Sequence, residues 1–261
     1  MSDFKLIASD IDGTLILNGE QQISKTTVSL IRRLKKEKNI LFIAASGRQY
    51  QNLRQLFNPI KNDIIYISEN GCLGIYQNKI IYQKELKREL ALKIATDILA
   101  LKDCELQIST PKIQYIKPKT KAFADYMHHE AGIKVKEIAD ITKIKEPILK
   151  VAVYNPKSTA HRKVLQQKYG KYCNMHLGRD DWTDFTPLHT DKGTTLKAII
   201  KHLNIKPKEC IAIGDYYNDE SMLKAVGCPV AMETAPEELQ AIAKFTADSV
   251  ENILKKIFSI K

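Results

Sequence analysis

Four short apolar runs constrain this chain more than any other feature. Phe4 to Ala8, Ile40 to Ala45, Ile64 to Ile67 and Cys210 to Ile213 are rich in Ile, Leu, Phe and Ala. Each is too short and too uniformly apolar for an amphipathic helix, so each reads as a strand buried on both faces, the mark of a parallel sheet. Each also stops abruptly in polar residues: Ser9-Asp10, Ser46-Gly47-Arg48, Ser68-Glu69-Asn70 and Gly214-Asp215. Helical patterns from Ser24 to Lys38, Gln49 to Phe57 and Gly193 to Leu203 alternate with these strands. Alternation of this kind predicts an α/β fold with a doubly wound parallel-sheet (Rossmann-like) core. Ligands of such sheets sit outside the carboxyl ends of the strands, so the polar tips are expected to share one cleft.

The middle of the chain breaks the pattern. Leu73 to Tyr76 and Lys79 to Tyr82 flank Gln77-Asn78, a hairpin signal. Helices are expected over Glu85–Leu101, Thr120–Ala131 and Pro156–Tyr169, with strands at Glu105–Ser109, Ile113–Ile116, Ile148–Tyr154, Tyr172–Leu177 and Trp182–Thr186. The expected division is a core of residues 1–81 and 187–261 with an inserted α/β unit, 82–186, large enough for its own hydrophobic core.

Composition narrows the classes. Hydrophobic residues at 44% and charged residues at 27% suit a folded globular chain. No apolar run approaches the roughly 20 residues of a membrane-spanning helix, and the N-terminus lacks the pattern of a signal peptide, so the cytoplasm is the expected location and no membrane partner is expected. Five cysteines, none in a C-x-x-C pair, argue against a disulfide framework or zinc finger. The adjacent His128-His129 would point in different directions on a helix and is not read as a metal site. The net charge of +11 is spread along the chain, and its densest cluster, Arg32-Arg33-Leu34-Lys35-Lys36, reads as the solvated face of a helix rather than a nucleic-acid patch.

The chemistry concentrates at the strand tips. Asp10-Ile11-Asp12-Gly13-Thr14 places two carboxylates two residues apart on a glycine turn, where one can attack phosphorus and the other exchange a proton with the leaving group. Gly214-Asp215-Tyr216-Tyr217-Asn218-Asp219 ends another strand. Mg²⁺ takes hard oxygen ligands and keeps several waters, so Asp215 can join Asp10 around it, while Asp219 can ligate or orient a bound water. Asn218 can donate a hydrogen bond to substrate or to a carboxylate. Ser46, followed by Gly47, can offer its hydroxyl and backbone N–H groups to phosphate oxygens, and Lys192 is a point charge suited to phosphate and the attacking carboxylate together.

Taken together, Asp10-x-Asp12-Gly-Thr, Ser46-Gly-Arg48, Asn70-Gly71, Asp191-Lys192-Gly193 and Gly214-Asp-x-x-Asn218-Asp219 resemble the haloacid dehalogenase superfamily, and within it the Cof-type phosphatases with a large α/β cap. The resemblance implies a Mg²⁺-dependent phosphatase of small phosphorylated metabolites, of the sugar phosphate, nucleotide or pyridoxal phosphate class. It implies Asp10 as nucleophile, Asp12 as general acid/base with its backbone carbonyl also reaching the metal, and Asp215 as a further ligand supported by Asn218 and Asp219. Ser46 and Lys192 would hold the phosphoryl group. Arg48 and Asn70 take motif-like positions facing the cleft, Arg48 either touching substrate or pairing with a nearby acid. A phosphomutase or phosphotransferase shares the first step. An anion- or nucleic-acid-binding regulatory protein on the fold is disfavoured, because Asp10, Asp12 and Asp215 all stand. Monomer and dimer are both open. Two departures bear on loop shape: Tyr216-Tyr217 is bulkier than the usual filling, and Glu233-Thr234, read as following the last strand, stands where glycine and asparagine are common. In the inserted unit Arg179-Asp180-Asp181-Trp182 reads as a turn with a core-packing aromatic, or as a substrate contact.

Overall fold

The computed structural model describes residues 4–17, 20–130, 135–177 and 181–260. The chain divides into two compact units, 1–83 with 191–261, and 84–190. Arg179 and Asp180, and the side chain of His129, lie outside the described residues.

The first unit begins with β1 (Leu6–Asp10), α1 (Lys25–Lys38), β2 (Leu41–Ala45), α2 (Tyr50–Leu56), β3 (Ile64–Ser68), β4 (Leu73–Tyr76) and β5 (Lys79–Gln83). The second unit holds α3 (Arg88–Ala100), β6 (Glu105–Ser109), β7 (Gln114–Lys117), α4 (Lys121–Asp125), β8 (Val135–Glu137), β9 (Lys150–Tyr154), α5 (Ala160–Tyr169), β10 (Cys173–Leu177) and β11 (Trp182–Pro187). The first unit then resumes with α6 (Lys192–His202), β12 (Cys210–Gly214), α7 (Glu220–Leu223), β13 (Cys228–Met232), α8 (Glu237–Ala241), β14 (Phe245–Ala247) and α9 (Val250–Phe258).

The first unit's sheet runs β14-β13-β12-β1-β2-β3-β4-β5, parallel from β14 to β3 and antiparallel thereafter. Every residue of β1, β3 and β12 is buried, as a strand covered on both faces requires. On one face Leu6, Ala8, Ile43 and Ala212 pack with Leu196 and Ile199 of α6 and Met222 and Leu223 of α7. On the other, α1 buries Leu30, Ile31 and Leu34, while Arg32, Arg33 and Lys36 face solvent and Arg33 pairs with Glu37. The basic cluster is therefore the wet side of an amphipathic helix. Because β1 lies between β12 and β2, the chain winds outward in both directions from β1, and the switch point opens at the carboxyl ends of β1 and β12.

Several element boundaries differ from expectation for physical reasons. The hairpin turns through Gln77 and Asn78, both with left-handed φ (50° and 61°), and its strand β5 extends to Gln83 on the first unit's sheet. The first division therefore falls after Gln83 rather than at 82. The second falls after Thr190 rather than at 186, since Pro187 still pairs with Cys173 and the Asn174 side chain donates to the Pro187 and Thr190 carbonyls. The helix expected from Pro156 starts at Ala160, because Asn155 Oδ1 accepts from Lys157 N and Ser158 N and holds that stretch in an Asx turn. Two further strands follow β12, so Ala231-Met232 lies within β13 rather than after the last strand.

The second unit is a sheet ordered β10-β11-β9-β6-β7-β8 with α3 and α5 on one face, where Ile94, Ile98, Leu106, Ile108, Val151, Val153, Leu165 and Phe185 form its core. Trp182 lies among aromatic rings, 4.9 Å between centroids from Tyr154 and 6.3 Å from Phe123. It is a packing residue here. His128 is exposed and pairs with Glu137 at 3.1 Å. All five cysteines are buried free thiols. Among the described residues no helix is long and apolar enough to cross a membrane.

Candidate active site

The turn after β1 is held by its own backbone. Gly13 N donates to the Ile16 carbonyl and Ile16 N to the Ile11 carbonyl, both at 2.8 Å. Gly13 has φ +95°, and a Cβ there would stand 2.2 Å from Asp215 Oδ2, so conformation and space both require glycine. Close approach is useful: Thr14, almost fully buried, donates from Oγ1 to Asp215 Oδ1 at 2.8 Å, tying the β1 turn to the β12 turn. Thr14 was not singled out from the sequence as a site residue, although it closes the Asp-x-Asp-Gly-Thr pentapeptide.

Lys192 is the first residue of α6, capped by Asp191, whose Oδ1 accepts from Thr194 N at 2.7 Å. A cation in the first turn of a helix opposes the helix dipole, so local preference does not explain this placement. Its partners do. Lys192 Nζ donates to Asp10 Oδ1 at 2.5 Å and to Asp219 Oδ1 at 2.6 Å, with the lysine side chain only 1% exposed. Asp219 is fully buried, and its other oxygen accepts from Asp215 N (3.1 Å) and Tyr216 N (3.2 Å), shaping the turn that carries Asp215. Carboxylate oxygens of Asp10, Asp215 and Asp219 all lie within 4.8 Å of one another.

The electrostatics follow. Burial pushes the Asp10 carboxyl well above the usual carboxylate range; Lys192 pulls it back, while Asp219 and Asp215 push with burial. Burial also raises Asp215, aided by Asp219 and opposed by the hydrogen bonds from Thr14 and with Asp10. For Lys192, burial favours the neutral amine, but Asp10 and Asp219 outweigh it and hold the ammonium above its ordinary value. Among the described residues this cluster of three carboxylates thus faces one buried lysine, which pairs with two of them. A divalent ion with oxygen preference fits that excess, and Asp10 and Asp215 are the residues with oxygens to give it.

Ser46, Gly47 and Arg48 follow β2. Ser46 is buried, and its Oγ accepts from Arg48 N at 3.2 Å. Arg48 forks onto Asp12: Nε to Oδ2 at 2.9 Å and Nη2 to Oδ1 at 2.5 Å. Of the two readings of Arg48, the structure shows the pairing with an acid. Ser46 Oγ lies 3.5 Å from Asp12 Oδ2, the outer limit of a hydrogen bond. Asn70 is buried in a left-handed conformation (φ 56°) between Glu69 and Gly71, also left-handed. Asn70 N donates to the Ser46 carbonyl and Glu69 N to the Arg48 carbonyl, while the Asn70 Oδ1 lies 2.8 Å from where a Gly47 Cβ would be. Asn70 thus braces the Ser46 loop. Gly71 closes the turn against the Asp191 backbone, and its carbonyl accepts from Thr195 Oγ1 at 2.5 Å, linking this brace to α6. Asn218 is the exception among the expected site residues: it is exposed on its 3₁₀ turn, and among the described residues no hydrogen bond joins it to the cluster.

The model of the haloacid dehalogenase-like hydrolase family matches residues 7–256. The chain belongs to the haloacid dehalogenase-like hydrolases. This hydrolase is 25% identical over 252 residues to the 5-amino-6-(5-phospho-D-ribitylamino)uracil phosphatase YbjI of Escherichia coli K12, covering 94% of this chain and 91% of that one. It is 25% identical over 244 residues to the HMP-PP phosphatase of Citrobacter koseri, covering 91% and 87%. A haloacid dehalogenase-like hydrolase from Bacteroides thetaiotaomicron has the same fold, with a TM-score of 0.83 over 98% of this chain and 100% of that one at 23% identity. The hydrolase is accordingly a phosphatase acting on phosphoric monoesters.

Proposed function

We propose that this phosphatase hydrolyses small phosphomonoesters in two steps, with Asp10 as the nucleophile and Mg²⁺ as the cofactor. The observation that carries the reading is the buried Lys192 bridging Asp10 and Asp219, with Asp215 alongside, at the switch point of a parallel sheet. Asp10 Oδ attacks phosphorus and the bond to the leaving oxygen breaks, its electron pair remaining on that oxygen, which takes a proton from Asp12. Asp12 then takes a proton from water, the water oxygen attacks phosphorus, and the bond to Asp10 breaks, freeing phosphate. Lys192 neutralises Asp10 and the phosphoryl oxygens together, and Ser46 with the Gly47 backbone holds those oxygens. Mg²⁺, held by Asp10, Asp215 and the Asp12 carbonyl, would cancel repulsion between carboxylate and phosphate dianion. Asp219, its two oxygens already engaged, serves Lys192 and the Asp215 backbone first. The E. coli relative's name specifies a phosphorylated ribityl compound, which supports a small metabolite as substrate.

Two measurements test the reading. Turnover of 4-nitrophenyl phosphate, followed as free phosphate, should vanish with excess chelator and return with Mg²⁺; full turnover in metal-free buffer would remove Asp215 from its assigned role. Acid-quenched enzyme should carry a phosphoryl label on the peptide containing Asp10, enriched in Asp12→Asn and absent in Asp10→Asn. An Asp10→Asn variant that still hydrolyses the ester would replace the covalent route by direct attack of water. Transfer of the group to an added alcohol without release of phosphate would instead favour a phosphotransferase.

A further inference from the structure

Resting on the reading of Asp12 as the proton-exchanging group, we propose that Arg48 is a positioning residue that acts through Asp12, backed by Asn52, and that it does not grip the phosphoryl oxygens. Arg48 and Asp12 are joined by a fork whose two bonds, 2.9 and 2.5 Å, use Nε and Nη2 on separate carboxylate oxygens. A planar guanidinium on both oxygens fixes the plane of the carboxylate as well as its place, which a point charge cannot do. The fork is itself supported from three sides. Arg48 Nη1 donates to Asn52 Oδ1 at 3.2 Å, one turn along α2. Arg48 N donates to Ser46 Oγ, and the Arg48 carbonyl accepts from Glu69 N at 3.1 Å. The guanidinium is thus aimed by the end of a helix and by the left-handed turn at Glu69, while its side chain remains 34% exposed and that of Asp12 37% exposed.

A half-exposed ion pair contributes little to stability, so folding alone gives no reason to build three supports behind it. Among the described residues the Asp12 carboxylate has one other hydrogen-bonding side chain in reach, Ser46 at 3.5 Å. A carboxylate has about four acceptor sites, and the fork occupies one on each oxygen, leaving others for a proton moving to or from the leaving oxygen and water. Proton transfer requires that the acid stand within hydrogen-bond reach of one defined atom, and the fork supplies that constraint.

The test compares 4-nitrophenyl phosphate with phenyl phosphate, similar in shape but with a more basic leaving oxygen that depends more on protonation. Arg48→Ala should lower kcat/KM, which reports the first half-reaction, by about 10²-fold on phenyl phosphate and by only a few-fold on 4-nitrophenyl phosphate, while kcat falls on both because Asp12 must still deprotonate water. In an Asp12→Asn background the same substitution should cost under about twofold more, since two residues acting as one unit are not additive. Asn52→Ala should give the same pattern at roughly a few-fold, and it keeps the proposal testable should Arg48→Ala fold poorly. Equal losses of kcat/KM on both esters, additive with Asp12→Asn, would overturn the proposal and place Arg48 on the phosphoryl group. If Asp12→Asn alone turned over both esters at the wild-type rate, the acid/base reading itself would fall; if Asp12→Asn showed the leaving-group dependence and neither Arg48→Ala nor Asn52→Ala did, only the positioning role would.

Discussion

Each of the two units contains a nearly buried lysine paired with aspartate, and the two pairs do different things. In the second unit Lys150, on β9, donates to Asp184, on β11, at 3.0 Å, with side chains 6% and 15% exposed. That pair joins neighbouring antiparallel strands of the second unit's sheet. In the first unit Lys192 meets Asp10 and Asp219, with Asp215 beside them, so negative charge is in excess. Lys192 also sits where the helix dipole opposes it, whereas a strand imposes no such penalty on Lys150. Burial of a lysine therefore does not mark a reactive site. The first unit's cluster differs in holding three carboxylates together, an arrangement that a divalent ion would fit.

Three substitutions break or sharpen that contrast. Lys192→Ala has the largest expected effect, a fall in kcat of roughly 10²- to 10³-fold, the scale for removing one electrostatic stabiliser. It is read at saturating Mg²⁺ with circular dichroism confirming the fold; a near wild-type rate would make Lys192 no different from Lys150. Lys150→Ala should act on stability instead. Stripping one partner from a buried pair costs about 3–5 kcal/mol, and the residual exposure of Asp184 places this case near 2 kcal/mol. The shift is read from the denaturant midpoint, and the dependence of activity on Mg²⁺ should not move. A changed Mg²⁺ dependence at full stability would move Lys150 into the functional class. Trp182→Ala comes last, at about 1–2 kcal/mol, because the ring is only partly buried against Tyr154 and Phe123. An unchanged melting temperature with an altered preference among phosphate esters would assign Trp182 to substrate rather than to packing.

Much of the site was legible because its causes are local. An apolar run long enough to cross the sheet must end at its edge, so Asp10, Ser46 and Asp215 could be assigned to strand tips before any contact was known. The Gly13 turn was equally legible, since a positive φ has few residues to serve it. Helix starts were less so: Asn155 could equally have capped a helix at Pro156, and only its double acceptance from Lys157 and Ser158 shows the turn that delays α5. Residues 228–232 and 245–247 were missed as strands, the latter because three residues with exposed Phe245 and Thr246 carry no periodic signal. Asn218 was read as part of the site from its spacing, yet its neighbour Asp219 takes the inward position, and the tight 3₁₀ turn leaves Asn218 facing solvent.

From the sequence alone came the strand tips, the order of the motifs and the type of each chemical group, since short apolar runs and glycine turns act over a few residues. The choice of partners belonged to the tertiary structure. Lys192 finds Asp10 across 182 positions, and Thr14 finds Asp215 across 201, only because β12 lies beside β1. Arg48 reaches Asp12 rather than standing open because β2 lies on the other side. A side chain's type is written in the chain, but which charge it meets depends on the order in which the strands come together.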